Sequence, residues 1–240
     1  NWARLMAQVV YYFYAAVRLG APGKAVAFSV PTGNFGDVFA GYVAARMGLP
    51  VERLIVATNV NDILHRALSS GDYSKGQVQA TATPSMDIQV SSNFERLLFD
   101  ANGRDGAALA AQMKGFEGTG AMRLTNAQSQ AIAPLFASAR VDADDMSRAM
   151  RWAADHTGQI LDPHTAIALS AARAAETDVP VVTLATAHPA KFTDAVERAT
   201  GVRPPLPRRV GDLFEREERF ETLPATFEAV TAYIDGRSLR

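Results

Sequence analysis

Two stretches place hydrogen-bonding groups directly after apolar runs, where a sheet would present them to a ligand. The first, PTGNFGD at 31–37, follows KAVAFSV. Backbone N–H groups at a strand-to-helix turn point outward, and the following helix adds partial positive charge, so such a turn can hold a phosphate. Gly33 and Gly36 would let the chain approach an anion closely, since no Cβ intervenes. No Lys-Ser/Thr follows the second glycine, which excludes a P-loop, and the spacing is not that of the dinucleotide fingerprint. The residues equally allow a plain tight turn, with Asn34 at positive φ and Asp37 capping the next helix.

The second stretch, LATAHPAKF at 184–192, ends another apolar run. In open α/β sheets the carboxyl ends of the strands face the ligand crevice. Thr186 could therefore exchange one hydrogen bond with a ring nitrogen. His188 is either a base or a structural capping histidine. Lys191 reads as a solvated lysine in a first helical turn, because nothing near it in sequence would desolvate it. LDPHTA at 161–166 offers Asp162 and His164, and Asp before Pro at a helix start is mostly a cap. The histidines at 65, 156, 164 and 188 lack the paired spacing of a metal site.

These residues need a scaffold, and the apolar runs supply one. KAVAFSVP, RLIVATN (53–59) and VPVVTLATAH (179–188) read as buried strands, with PLFASARV as a possible short one. Helical stretches lie between them, over 37–47, 61–68, 142–158 and from 163. Continuous apolar strands alternating with helices predict a parallel sheet covered on both faces, a three-layer α/β fold. The chain opens into a helix whose stripe is Trp2, Leu5, Met6, Val9, Phe13, Ala16 and Val17, with Asn1 as cap and Gly20 as stop. A long apolar helix at the first residue suggests a missing N-terminal portion. Residues 69–88 are loose and polar. The expected organisation is a large α/β domain over 1–202, with a polar insertion near 69–150, and a tail and helix over 203–240 packing on it.

Composition narrows the functions. With 24 basic and 25 acidic side chains in 240 residues the formal charge is −1, which argues against a nucleic-acid surface or a polybasic membrane patch. Cysteine is absent, which excludes disulfides, thiolate metal sites and a cysteine nucleophile. A cytoplasmic protein acting on a small molecule, as a monomer or homodimer, is the expectation.

VPTGNFGDVFAGYVAARMGLP, ATNVNDIL, TPSMDIQVSSNFERLLF, LDPHTA and ATAHPAKF, in this order, resemble threonine synthases of the bacterial and fungal type. The resemblance covers most of the chain but only the later part of the family's sequence. It implies a pyridoxal 5′-phosphate enzyme of fold type II, like the tryptophan synthase β subunit. By it, Gly33, Asn34, Phe35, Gly36 and Asp37 surround the cofactor phosphate, and Thr186 meets the pyridine nitrogen. A neutral hydroxyl there would leave that nitrogen largely unprotonated. Asn59, at a neighbouring strand end, is expected to face the ring, a weaker carry-over. The implied reaction turns O-phospho-L-homoserine and water into L-threonine and phosphate.

The family's Schiff-base lysine lies upstream of these motifs in a Phe-Lys-Asp-type context. Lys24, Lys75, Lys114 and Lys191 lack that context, so no catalytic residue is assigned here and this piece alone should not turn over substrate. A phospho-lyase on another substrate and a non-catalytic binding domain are the alternatives.

Overall fold

A computed structural model describes residues 1–237 of the chain. Its strands are β1 (Val26–Pro31), β2 (Val51–Thr58), β3 (Phe136–Arg140) and β4 (Val181–Thr183), all parallel in the order β3-β2-β1-β4. The helices are α1 (Trp2–Arg18), α2 (Gly36–Arg46), α3 (Ile63–Ser70), α4 (Phe94–Ala101), α5 (Gly106–Thr119), α6 (Asn126–Ile132), α7 (Ala143–Thr157), α8 (Pro163–Ala174), α9 (Thr193–Thr200) and α10 (Phe227–Arg237). Residues Asn1–Pro204 form one compact unit, and a second begins at Pro205. Within the second unit α10 and two short 3-10 turns lie among exposed apolar residues such as Phe214, Phe220 and Phe227. No helix among the described residues is long and apolar enough to cross a membrane.

Side chains alternate across the sheet, and each face has its own core. Phe28, Val30, Leu54 and Val56 pack with α1 to α4, whereas Ile55 and Ala57 pack with α7, α8 and α9. Ser29, on the second face, donates to the carbonyl of Ala168 in α8 at 2.7 Å, which satisfies a fully buried hydroxyl. The three-layer α/β arrangement is thus present.

Two elements differ from expectation. In α1 the buried positions are Leu5, Val9, Tyr12 and Ala16, while Trp2, Met6 and Val17 are exposed. The seam turns because Tyr12 lies 4.8 Å from the Phe28 ring and its hydroxyl donates to the backbone of Asp37 at 2.8 Å. β4 spans three residues rather than ten and is half-buried. It is an edge strand paired only to β1, so its chain leaves the ladder at Leu184 and frees 184–188 to line a cavity.

Candidate functional site

β1 ends at Pro31, and a sharp turn converts it into α2. The residue in the left-handed region is Phe35, at φ 63°, not Asn34. A bulky side chain pays steric strain there, and the aromatic core holds it: the Phe35 ring meets Phe94 at 5.2 Å and Phe136 at 5.9 Å. Its side chain is buried, so Phe35 anchors the loop from below. Gly33 has no room for a Cβ, which would lie 2.3 Å from the Ser85 carbonyl oxygen; at Gly36 the nearest atom would be 3.6 Å away. The first glycine thus serves a backbone crossing.

Residues 91–93 clamp the same loop. Ser91 Oγ donates to the Gly33 carbonyl at 2.9 Å, and Asn93 Nδ2 donates to the Asn34 carbonyl at 2.8 Å. With its carbonyls turned to this clamp, the loop leaves the N-terminus of α2 without a side-chain cap. Asp37 does not cap it either. Its carboxylate faces the Tyr12 hydroxyl at 3.3 Å, and burial pushes its pKa up to about 6 against the opposing pull of Tyr12 and Arg4. By contrast Asn1, Asp105, Thr125, Asp142 and Asp162 cap their helices with side-chain oxygens.

The uncapped terminus opens on a cavity of about 920 Å³ bounded by 31–38, the turn at Ser85 and Met86, His164, and 184–187 with Lys191 and Phe192. Arg4, Arg96 and Lys191 line it against the single carboxylate of Asp37. A second cleft of about 900 Å³ runs along α2, α4 and α5, so size does not distinguish the two. The first has the strand ends, the free helix terminus and the excess of cations, which suit an anionic ligand.

Thr186 stands at the rim, with its N–H donating to Thr165 Oγ1 at 3.3 Å. The Thr165 hydroxyl in turn donates to Asp162 Oδ2, and Asp162 Oδ1 accepts from His164 N and Nδ1 at 2.9 and 3.1 Å. Burial raises the Asp162 carboxyl, but hydrogen bonds from His164 and Thr165 outweigh it and hold the pKa below the usual value. The predicted cap is therefore also the centre of a network. His188 accepts from Ala190 N–H at 3.1 Å and caps a turn. Lys191 is exposed.

Asn59 is not brought to the cavity. Its Nδ2 contacts Thr81 Oγ1, Thr83 Oγ1 and Asp87 Oδ1 at 2.7–3.0 Å, and its Oδ1 accepts from Asn61 N–H. These bonds stitch the polar segment 79–87 to the end of β2, which explains why it is rich in Thr, Gln and Asp. Asn59 reaches the cavity only indirectly, by holding the Ser85–Met86 turn in place. In the sequence SMDIQVSSNFER (85–96) stands out only as a polar cluster that serves ligands, turns or subunit contacts equally well, with Ser92 or Asn93 as a candidate helix cap; in the structure Asn93 makes no side-chain cap bond and clamps the loop instead.

Comparison with known proteins bears on this geometry. The family "Threonine synthase, C-terminal" matches residues 165–234. A threonine synthase of Pseudomonas aeruginosa is 52% identical over all of this chain, which covers 52% of that protein. The crystal structure of a PLP-bound threonine synthase from Brucella melitensis superposes at TM-score 0.94 with 51% identity, over the whole of this chain and 52% of that one. The chain belongs to the threonine synthase family. The yeast threonine synthase structure matches at TM-score 0.87 and 36% identity, over 98% of this chain and 52% of its own. The chain thus spans about half the length of the threonine synthases it matches.

Proposed function

We propose that the natural polypeptide carrying this chain converts O-phospho-L-homoserine and water to L-threonine and phosphate with pyridoxal 5′-phosphate, and that this chain grips the cofactor. The observation that carries the reading is one cavity receiving both the uncapped start of α2 and the end of β4. Its groups fit the cofactor: free N–H groups for a phosphate and a hydroxyl for a ring nitrogen, in a wall that also holds an orphan buried imidazole nitrogen, His164 Nε2. The Brucella relative is described as PLP-bound, which supports the same reading.

Backbone N–H groups over Gly33, Asn34, Phe35, Gly36 and Asp37 would hold the phosphate, aided by the dipole of α2. Thr186 would face the ring nitrogen. When bound, the cofactor supplies carbanion stabilisation, and the protein supplies orientation and proton placement. Arg4, Arg96 and Lys191 give the cavity the cationic surplus to hold the substrate's own phosphate beside that of the cofactor, and the walls at Met86 and Phe192 limit water at the reacting carbon.

The test is product analysis of the natural polypeptide incubated with cofactor and O-phosphohomoserine. Stoichiometric threonine and phosphate support the reading; phosphate with 2-oxobutyrate and no threonine overturns it in favour of a simple phospho-lyase.

A further inference from the structure

The turn over 33–37 is held by its carbonyls, and the grip on the first of them leads back to the polar stretch after α3. Every polar group of buried Ser91 is committed. Its Oγ donates to the Gly33 carbonyl at 2.9 Å, its carbonyl accepts from the Phe94 N–H at 3.1 Å, and its N–H donates to the Tyr73 hydroxyl at 2.7 Å. Tyr73 is 2% exposed, with its ring 5.2 Å from that of Phe94 and 5.0 Å from that of Phe116. A phenylalanine would pack there as well. What the hydroxyl adds is an acceptor for the buried Ser91 N–H, which would otherwise go unmet. Its own proton turns to the Ser91 carbonyl at 3.5 Å. Tyr73 is itself fixed, since its N–H donates to the Met122 carbonyl at 2.9 Å and its carbonyl accepts from the Met122 N–H at 3.2 Å.

A peptide unit is planar and trans, so its carbonyl and the next N–H point in opposite directions. Holding the Gly33 carbonyl on Ser91 therefore fixes where the Asn34 N–H points. It turns that N–H, which takes no protein partner among the described residues, away from the clamp. Asn93 turns the Phe35 N–H in the same way, by holding the Asn34 carbonyl. We propose that Tyr73 is a positioning residue for this turn: through Ser91 its hydroxyl sets the direction in which the Asn34 N–H meets a phosphate. The inference rests on the reading of 33–37 as a phosphate cradle. A donor held in place before the anion arrives needs no reorganisation, whereas a loose Gly33–Asn34 peptide must be ordered at each binding event. Two routes join Tyr73 to the turn, and they are separable. The ring reaches Phe35 through Phe94, and the hydroxyl reaches Gly33 through Ser91. Tyr73→Phe keeps the first and cuts the second.

The experiment measures dissociation constants of the natural polypeptide for pyridoxal 5′-phosphate and for pyridoxal, which has the ring and aldehyde but no phosphate. The parent is expected to favour the phosphorylated ligand. Tyr73→Phe should weaken that ligand about five- to tenfold and leave pyridoxal unchanged. Ser91→Ala reads the same link from its other end and should give the same selective loss, so the test does not hang on the folding of one variant. The double variant should bind no more weakly than the worse single one, because the two groups act in series. The Asn34 amide signal should shift on loading in the parent and shift less in both variants. A merely structural tyrosine would weaken both ligands alike. Equal losses on the two ligands, additive losses in the double variant, or a parent-like preference in Tyr73→Phe overturns the inference and leaves the cofactor reading intact. A parent that binds the two ligands equally overturns both.

Discussion

Asp37 shows what one side chain costs beneath the turn from β1 to α2. Burial raises its pKa from 3.8 to about 6, so the native state holds a proton that the unfolded chain releases. Stability then falls as pH rises from about 4 to 6, and the loss is complete above the folded pKa. Two pKa units correspond to about 3 kcal/mol. Asp37→Asn keeps an acceptor for Tyr12 and removes the charge, so its stability relative to the parent should rise by up to about 3 kcal/mol between pH 4 and 7. Urea unfolding at both pH values checks this, and parallel profiles would refute it. The two loop glycines should part company. Gly33→Ala forces a Cβ against the Ser85 carbonyl and should cost about 1–3 kcal/mol, whereas Gly36→Ala, in open van der Waals contact, should stay within about 0.5 kcal/mol. Denaturation midpoints of the pair decide it. The sequence shows both glycines alike, because the difference is made by residue 85, some fifty positions away. Thr186 was readable as the polar residue at a strand exit; His164 was readable only as a neighbour of a cap, since an unpartnered atom is a property of the packed fold.

At the scale of elements, the long apolar runs declared themselves. β1 and β2 are buried on both faces and contain few breakers, so pattern and position agree. β4 was overread because its apolar run continues through Leu184 and Ala185, while among the described residues no strand pairs with its open side. The stripe of α1 was misjudged because tyrosine looks amphipathic in a pattern, yet Tyr12 is wholly buried with its hydroxyl bonded. The polar segment 79–87 is an element of a different kind, fixed by hydrogen bonds to Asn59. Asn59→Ala would leave Thr81, Thr83 and Asp87 without their shared donor and should cost about 2–4 kcal/mol by the usual penalty for unmet buried polar groups. Limited proteolysis should then cut within 76–90 well before the rest of the unit, and an unchanged cleavage rate would count against the stitching role.

At the scale of the molecule, the sheet, both cores and the whole cavity fall inside Asn1–Pro204. A chain ending at Pro204 should therefore keep a cooperative unfolding transition and its far-ultraviolet signature of mixed helix and strand; loss of cooperativity would place part of the stability in the residues beyond. Within that unit Phe35 joins the cavity-facing turn to the aromatic core. The consequence is felt in redesign. Asn34 serves the loop through its backbone, its carbonyl clamped, while its side chain stands exposed, so a library varied at 34 can reshape the cavity mouth at small risk to the fold. Position 35 offers no such latitude, since glycine would relax the backbone but abandon the anchor, and any other side chain inherits the strain without the fit. The surface this turn shows to the cavity is free to drift along one residue and is locked at the next.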